Sequence, residues 1–175
     1  MKKKLLSVLT LISVLLVMTN TVYASDLTWE EAPGHHNQSV LLEQNVSSSK
    51  DVLQRYARGE YLSMGTLEIV NQKNGSIYIC VETYAHVNVD RICHSVFLDQ
   101  WDEDEEDWIQ VAYWEFERTK EEEASGELSF VQNTLLVSDC PVNKYYRVRG
   151  LHMVELGDEI EGCATETNGV LITDH

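Results

Sequence analysis

Six consecutive carboxylates, Asp102-Glu103-Asp104-Glu105-Glu106-Asp107, stand between Trp101 and Trp108 and form a dense set of potential ligands. Hard cations need several oxygen ligands at short range. Asp102, Asp104 and Glu106 are therefore the candidate ligands for a weakly held calcium ion. The run lacks the glycine and the distal glutamate of an EF-hand loop. A hairpin tip also sends consecutive side chains in opposite directions. The competing reading is a solvated turn whose flanking indoles pin the strand ends. No other cofactor is expected. His35-His36 sits in a polar tract where neighbouring histidines are ordinary linker residues.

Hydrolysis would need a nucleophile paired with a histidine and an acid. His86, His94 and His152 are the available bases, and no Gly-x-Ser-x-Gly elbow accompanies them. His94 and His152 share the alternation of core residues, which marks them as interior histidines with satisfied partners. Acidic residues number 29, so a glycosidase-like carboxylate pair would arise here by chance. The chain is expected not to be an enzyme. Its aromatic residues carry a different possibility. Trp101, Trp108, Tyr113 and Trp114 cluster around one hairpin, and a flat aromatic patch beside carboxylates can stack a sugar ring or grip a protein. Trp108, Ala112, Trp114 and Phe116 are expected on one core-facing side. Trp101 and Tyr113 are the better surface candidates, and Trp101, Trp108 and Tyr113 together are the candidate binding residues.

Cys80, Cys93, Cys140 and Cys163 admit two disulfides in any of three pairings, or four free thiols. Only Cys80–Cys93 has a local argument. A hairpin turning near His86 and Val87 would set the two opposite each other on neighbouring strands. Cys140 would then pair with Cys163 by elimination. No Cys-x-x-Cys or Cys/His ladder points to structural zinc.

Period-two alternation supplies the elements that would carry these residues. Leu67 and Ile69 precede the turn Asn71–Gly75, and Ile77, Ile79 and Val81 follow it. Ile92, His94, Val96 and Leu98 mark another strand. Trp108–Glu117, Leu128–Val137, Tyr145–Met153 and roughly Ile160–Ile172 complete the set, with Gly157-Asp158 and Asn168-Gly169 as breaks. About seven short strands without a long amphipathic helix predict an all-β fold, an immunoglobulin-like or fibronectin-III-like antiparallel β-sandwich. Residues 58–175 would form it. Residues 25–57 read as a polar, partly disordered N-terminal arm with a helical turn or two at Lys50–Tyr56.

Lys2-Lys3-Lys4, the apolar run Leu5–Val17 and the closing Val22-Tyr23-Ala24 read as a secretory signal peptide over residues 1–24, cleaved after Ala24. The apolar run is short for a membrane span, so the mature chain is expected to be secreted, extracellular and without a span. Removing the three signal lysines takes the formal charge from −16 to −19. That surface repels phosphate backbones and anionic headgroups, which argues against nucleic acid and membrane partners. It also favours a soluble monomer.

Four segments carry a resemblance: Arg58-Gly59-Glu60-Tyr61-Leu62-Ser63-Met64-Gly65, the strand Ile92–Trp101, Tyr145-Tyr146-Arg147-Val148-Arg149-Gly150-Leu151-His152, and Thr165–Ile172 with its closing Asn168-Gly169. Over about Arg58–Ile172 the chain resembles an uncharacterised family of small secreted β-sandwich proteins from Gram-positive anaerobes. The resemblance implies fold and export, and brings no site residues. Independently of it, Tyr146, Val148 and Gly150 fall on one strand face with Arg147 and Arg149 on the other. An inward Tyr146 near a strand start predicts a tyrosine corner, its hydroxyl bonded to backbone just upstream. Together these features lead to the expectation of a secreted, non-catalytic binding module for an extracellular protein or glycan. The alternative is a secreted antagonist, a toxin or inhibitor acting on a competitor or host enzyme.

Overall fold

The computed structural model describes residues 27–55 and 61–175; the expected signal peptide lies outside the described residues. Among the described residues nine strands follow one another: β1 (Ser48–Gln54), β2 (Leu62–Asn71), β3 (Ile77–Ala85), β4 (Arg91–Asp102), β5 (Asp107–Thr119), β6 (Phe130–Val137), β7 (Lys144–Leu156), β8 (Glu159–Glu166) and β9 (Val170–Ile172). A 3₁₀ turn, Lys120–Glu122, interrupts the path after β5. The strands build two antiparallel sheets, one ordered β1-β2-β3-β6 and one ordered β5-β4-β7-β8, with β9 also paired to β7. The chain is thus an all-β sandwich, with nine strands where the alternation suggested about seven. Its connectivity differs from the immunoglobulin constant pattern, in which the third strand already belongs to the second sheet. Here β1, β2 and β3 stay together.

Local chemistry explains the β2–β3 hairpin. Asn71 and Asn74 each accept a backbone N–H two residues on, from Lys73 at 2.8 Å and from Ser76 at 3.0 Å. Lys73 and Gly75 take positive φ, the geometry such a turn requires. Beyond it, Leu67, Ile69, Ile77, Ile79 and Val81 turn inward and are buried against Val96, Leu98, Tyr146 and Val148 of the facing sheet. A second cluster, Leu62, Val89, Ile92, Leu128, Val131, Val154 and Cys163, fills the other end. Tyr146 forms the expected corner, its hydroxyl donating to the Pro141 carbonyl at 3.3 Å.

Between the two apolar clusters runs a buried polar chain. Asn133 Oδ1 can only accept, so His94 Nδ1 donates to it at 2.8 Å. Thr83 then donates its hydroxyl to His94 Nε2 at 2.7 Å and accepts from His152 Nδ1 at 2.9 Å. The Thr165 hydroxyl closes the series on His152 Nε2 at 2.9 Å. Both imidazoles are therefore neutral donors and acceptors inside the sandwich. Gly65 makes the space: a Cβ there would sit 2.7 Å from the His152 ring.

Three expectations give way. Residues Ser48–Gln54 form an edge strand paired along β2, so no helical turn forms there and the sandwich begins before Arg58. The described part of the arm, from Leu27 on, is laid against the five-stranded sheet. Trp29 is buried with Ala32 on Leu151, Met153 and Ala164, and backbone bridges join Gly34 to Ala164 and Leu41 to Gly169. These few apolar residues have no period because they pack singly on a finished sheet. Finally, β3 and β4 belong to different sheets, so the chain crosses over near His86 instead of turning back.

Candidate functional site

The outer face of the five-stranded sheet is built from the side chains that alternate away from the core. On β4 these are Cys93, Ser95, Phe97 and Asp99, paired across to Glu117, Glu115, Tyr113 and Gln110 of β5. On β7 the matching positions are Met153, Leu151, Arg149 and Arg147. The arm stands over β7 and β8 as a wall. Where β4 carries only Ser95 and Cys93, its small side chains leave a hollow between that wall and β5. The result is a groove of about 720 Å³. Leu27, Trp29, Leu151 and Met153 make one side apolar, while Glu115 and Glu117 line the opposite side. Phe97 and Tyr113, with ring centroids 4.9 Å apart, close one end beside Arg149.

Arg149 is fixed in place. Its guanidinium lies 4.7 Å from the Phe97 ring and 5.0 Å from Trp29, and it grips Asp99 through Nε at 2.7 Å and Nη2 at 3.0 Å. Arg147 shares Asp99 at 3.0 Å and reaches Glu166 at 3.1 Å. Glu166 in turn accepts the backbone N–H groups of Asn37, Gln38 and Ser39 and the Ser39 hydroxyl, at 2.7 to 3.1 Å. Burial alone would raise its pKa, but the Ser39 hydroxyl, Arg147 and these N–H groups together hold the carboxyl below its ordinary value. This cluster pins the arm and so fixes the groove's wall. At the far end Arg91 is shared by Glu155 and Glu117. No ion pair reaches Glu30 or Glu115 among the described residues.

Of the residues expected to bind, Tyr113 lies in the groove and is 44% exposed. Trp101 and Trp108 do not line it. They face each other across the hairpin end at 5.3 Å, and Trp108 is packed under Arg147 at 4.7 Å and against Gly169. Trp108 also lies on the opposite face from Ala112, Trp114 and Phe116. A bulge between Leu98 and Asp99 sets two β5 residues, Gln110 and Ala112, against consecutive residues of β4, which reverses the alternation at Val111. A bulge leaves no mark in a hydrophobic pattern. Nothing in the spacing of Phe97, Arg149, Leu151 and Met153 announces an arm folded over them, so alternation alone does not mark them as the floor of a groove.

The acidic run forms a four-residue tip between paired Asp102 and Asp107. Asp102 accepts the backbone N–H of Asp104 at 2.8 Å and of Glu105 at 3.2 Å, so its carboxylate stabilises the turn. Glu106 takes positive φ. Asp102, Asp104 and Glu106 are not gathered into a cation site, and no group of three His, Cys, Asp or Glu side chains that could hold a metal occurs among the described residues.

All four cysteines are free. Cys80 lies on the outer face of the four-stranded sheet beside Gln132, and Cys93 on the outer face of the five-stranded one. The missing β3–β4 hairpin is the reason they stand on opposite sides. Cys163 is buried between the sheets and Cys140 lies in the β6–β7 connection. In the groove, burial pushes the Cys93 thiol up to about 11, with Arg91 pulling the other way. It is a neutral wall group, not a thiolate nucleophile.

No helix among the described residues is long and apolar enough to cross a membrane. No curated protein matches the chain. A family model does match, over residues 24–170, which takes in the arm, both sheets and the groove. The chain belongs to that family, a family of unknown function (DUF6147).

Proposed function

We propose that this protein is a secreted, non-catalytic binding module that recognises an extracellular protein or glycan in the outer-face groove. The carrying observation is the groove itself, about 720 Å³ with an apolar wall, an acidic wall and an aromatic end. Sites of this size and mixed character take ligands through apolar burial and a few placed polar groups. The contact region is the middle of β4 and β5, centred on Tyr113 and Phe97, in place of the hairpin tip. Secretion rests on the basic, apolar and small-residue order of the first 24 positions. A non-catalytic role is supported by the chemistry around the groove. Cys93 is protonated, and the rings of His94 and His152 are spent on the interior chain.

Ser95→Trp tests this reading, because an indole there fills the hollow from its floor. The mature chain should capture one partner from culture supernatant, cell-wall extract or host mucus, in competition with soluble protein, and Ser95→Trp should lose it. Equal capture by the plugged variant would remove the groove from the account. Growth inhibition without capture would favour a secreted antagonist instead.

A further inference from the structure

Among the described residues, strand β5 is paired on one edge only, to β4, and at 13 residues it is among the longest strands. The opposite margin of the same sheet is treated differently, since the arm bridges to Ala164 and Gly169 there. A long free edge offers a row of backbone donors and acceptors to any extended chain. On the outer face this edge carries Tyr113, Glu115 and Glu117, all exposed. On the inner face it carries Ala112, Trp114 and Phe116, half-buried at the sandwich margin. From Ala112 to Glu117 the pattern reads as a code of period two, Tyr113 and two carboxylates outward and apolar side chains inward; beyond it Arg118, on the inward register, is exposed and turned to Glu123 at 3.7 Å. A second copy of the chain is a poor occupant, because antiparallel pairing of β5 with itself would bring carboxylates together on molecules that each carry a formal charge of −16. A basic strand meets the opposite situation.

We propose that the free edge of β5, over residues 112–119, accepts an extended basic segment of a partner protein as an added strand. Lysine or arginine side chains would stand opposite Glu115 and opposite Glu117, which already meets Arg91 and is half exposed beside it, and the alternate apolar side chains would cover Trp114 and Phe116. The bulge at Val111 ends the regular edge on one side, and the 3₁₀ turn Lys120–Glu122 ends it on the other. The proposal rests on reading this face as a binding face, and it names the partner's chemistry: a protein segment alternating basic and apolar residues.

A fluorescein-labelled, end-blocked peptide alternating lysine and valine tests it by anisotropy against the mature chain. Two further peptides carry backbone N-methyl groups on every second residue, in one phase or the other. Saturable binding is expected, with one methylation phase weakening it at least tenfold and the other leaving it unchanged, because only alternate N–H groups face the edge. The variants E115K/E117K and E115Q/E117Q, checked for an unchanged melting curve, should weaken it at least tenfold and several-fold respectively. Equal binding of both methylated peptides, equal binding of a glutamate–valine peptide, or indifference to E115K/E117K would each overturn the proposal. A chain that dimerises through β5 and excludes the peptide would do the same. Failure of the peptide with Ser95-dependent capture intact would remove the added strand alone. Failure of both would remove the binding-face reading as well.

Discussion

Glu166 sits where arm, β7 and β8 meet, and its carboxylate satisfies Arg147 and three backbone N–H groups at once. Glu166→Ala should cost about 3–5 kcal/mol in urea denaturation, since it strips the buried Arg147 guanidinium of one of its two carboxylates and leaves the backbone turn at residues 37–39 without its acceptor. The interior histidines make a separate prediction about pH. Burial brings His94 down from 6.5 to about 4, the Asn133 hydrogen bond only partly offsetting it, and burial and His94 bring His152 down as well. The unfolded chain therefore binds these protons first, and the folded state's advantage is complete above pH 6.5. It shrinks as pH falls through 6.5 toward 4, by about 3 kcal/mol for His94 alone. Urea midpoints at pH 7 and pH 4.5 measure this, and an unchanged midpoint would contradict the buried chain. The interior placement of both histidines was legible, because each alternates with residues such as Ile92, Val96 and Val154. Their linkage through Thr83 was not, since Thr83 reaches them from the other sheet.

Among the elements, the arm carries the clearest test. Trp29 is 5% exposed and covers Leu151, Met153 and Ala164, so Trp29→Ala should lose about 3–5 kcal/mol. It should also increase binding of a hydrophobic dye and abolish partner capture by opening the groove's wall. A surface arm would show none of these. The strands themselves were legible wherever alternation ran unbroken, as in β2, β3, β4 and β7. Three features escaped it for physical reasons. The bulge beside Asp99 shifts Trp108 to the other face without altering the residue pattern. The β3–β4 connection looks like a hairpin loop in sequence, yet it changes sheets. The arm lacks any period because isolated apolar side chains, not a regular face, hold it down. The exposure of Tyr113 was therefore legible from its type and spacing, whereas the groove around it depended on contacts distant in sequence.

At the scale of the whole molecule, stability comes from two apolar clusters between the sheets, the polar chain between them and the arm's cluster on the outer face, without covalent staples. Intact mass of the chain as isolated should be unchanged by a reductant, since all four cysteines are free. Cys80 and Cys163, both buried, should resist thiol labelling until the chain unfolds. A gain of four hydrogens on reduction would mean two bridges and a different arrangement of β3 and β4. The acidic surface, with a formal charge of −16, excludes neither protein nor glycan but selects against anionic partners. One sheet face is roofed at one margin by the arm and, among the described residues, unpaired at the other along β5, and the proposed binding role rests on that asymmetry. Hydrogen exchange of the mature chain with and without its captured partner tests this most directly. Protection should appear in residues 93–97 and 112–119, on the groove floor and the free edge. Protection confined to the outer face of the four-stranded sheet, around Tyr78, Tyr84 and Phe130, would contradict the account.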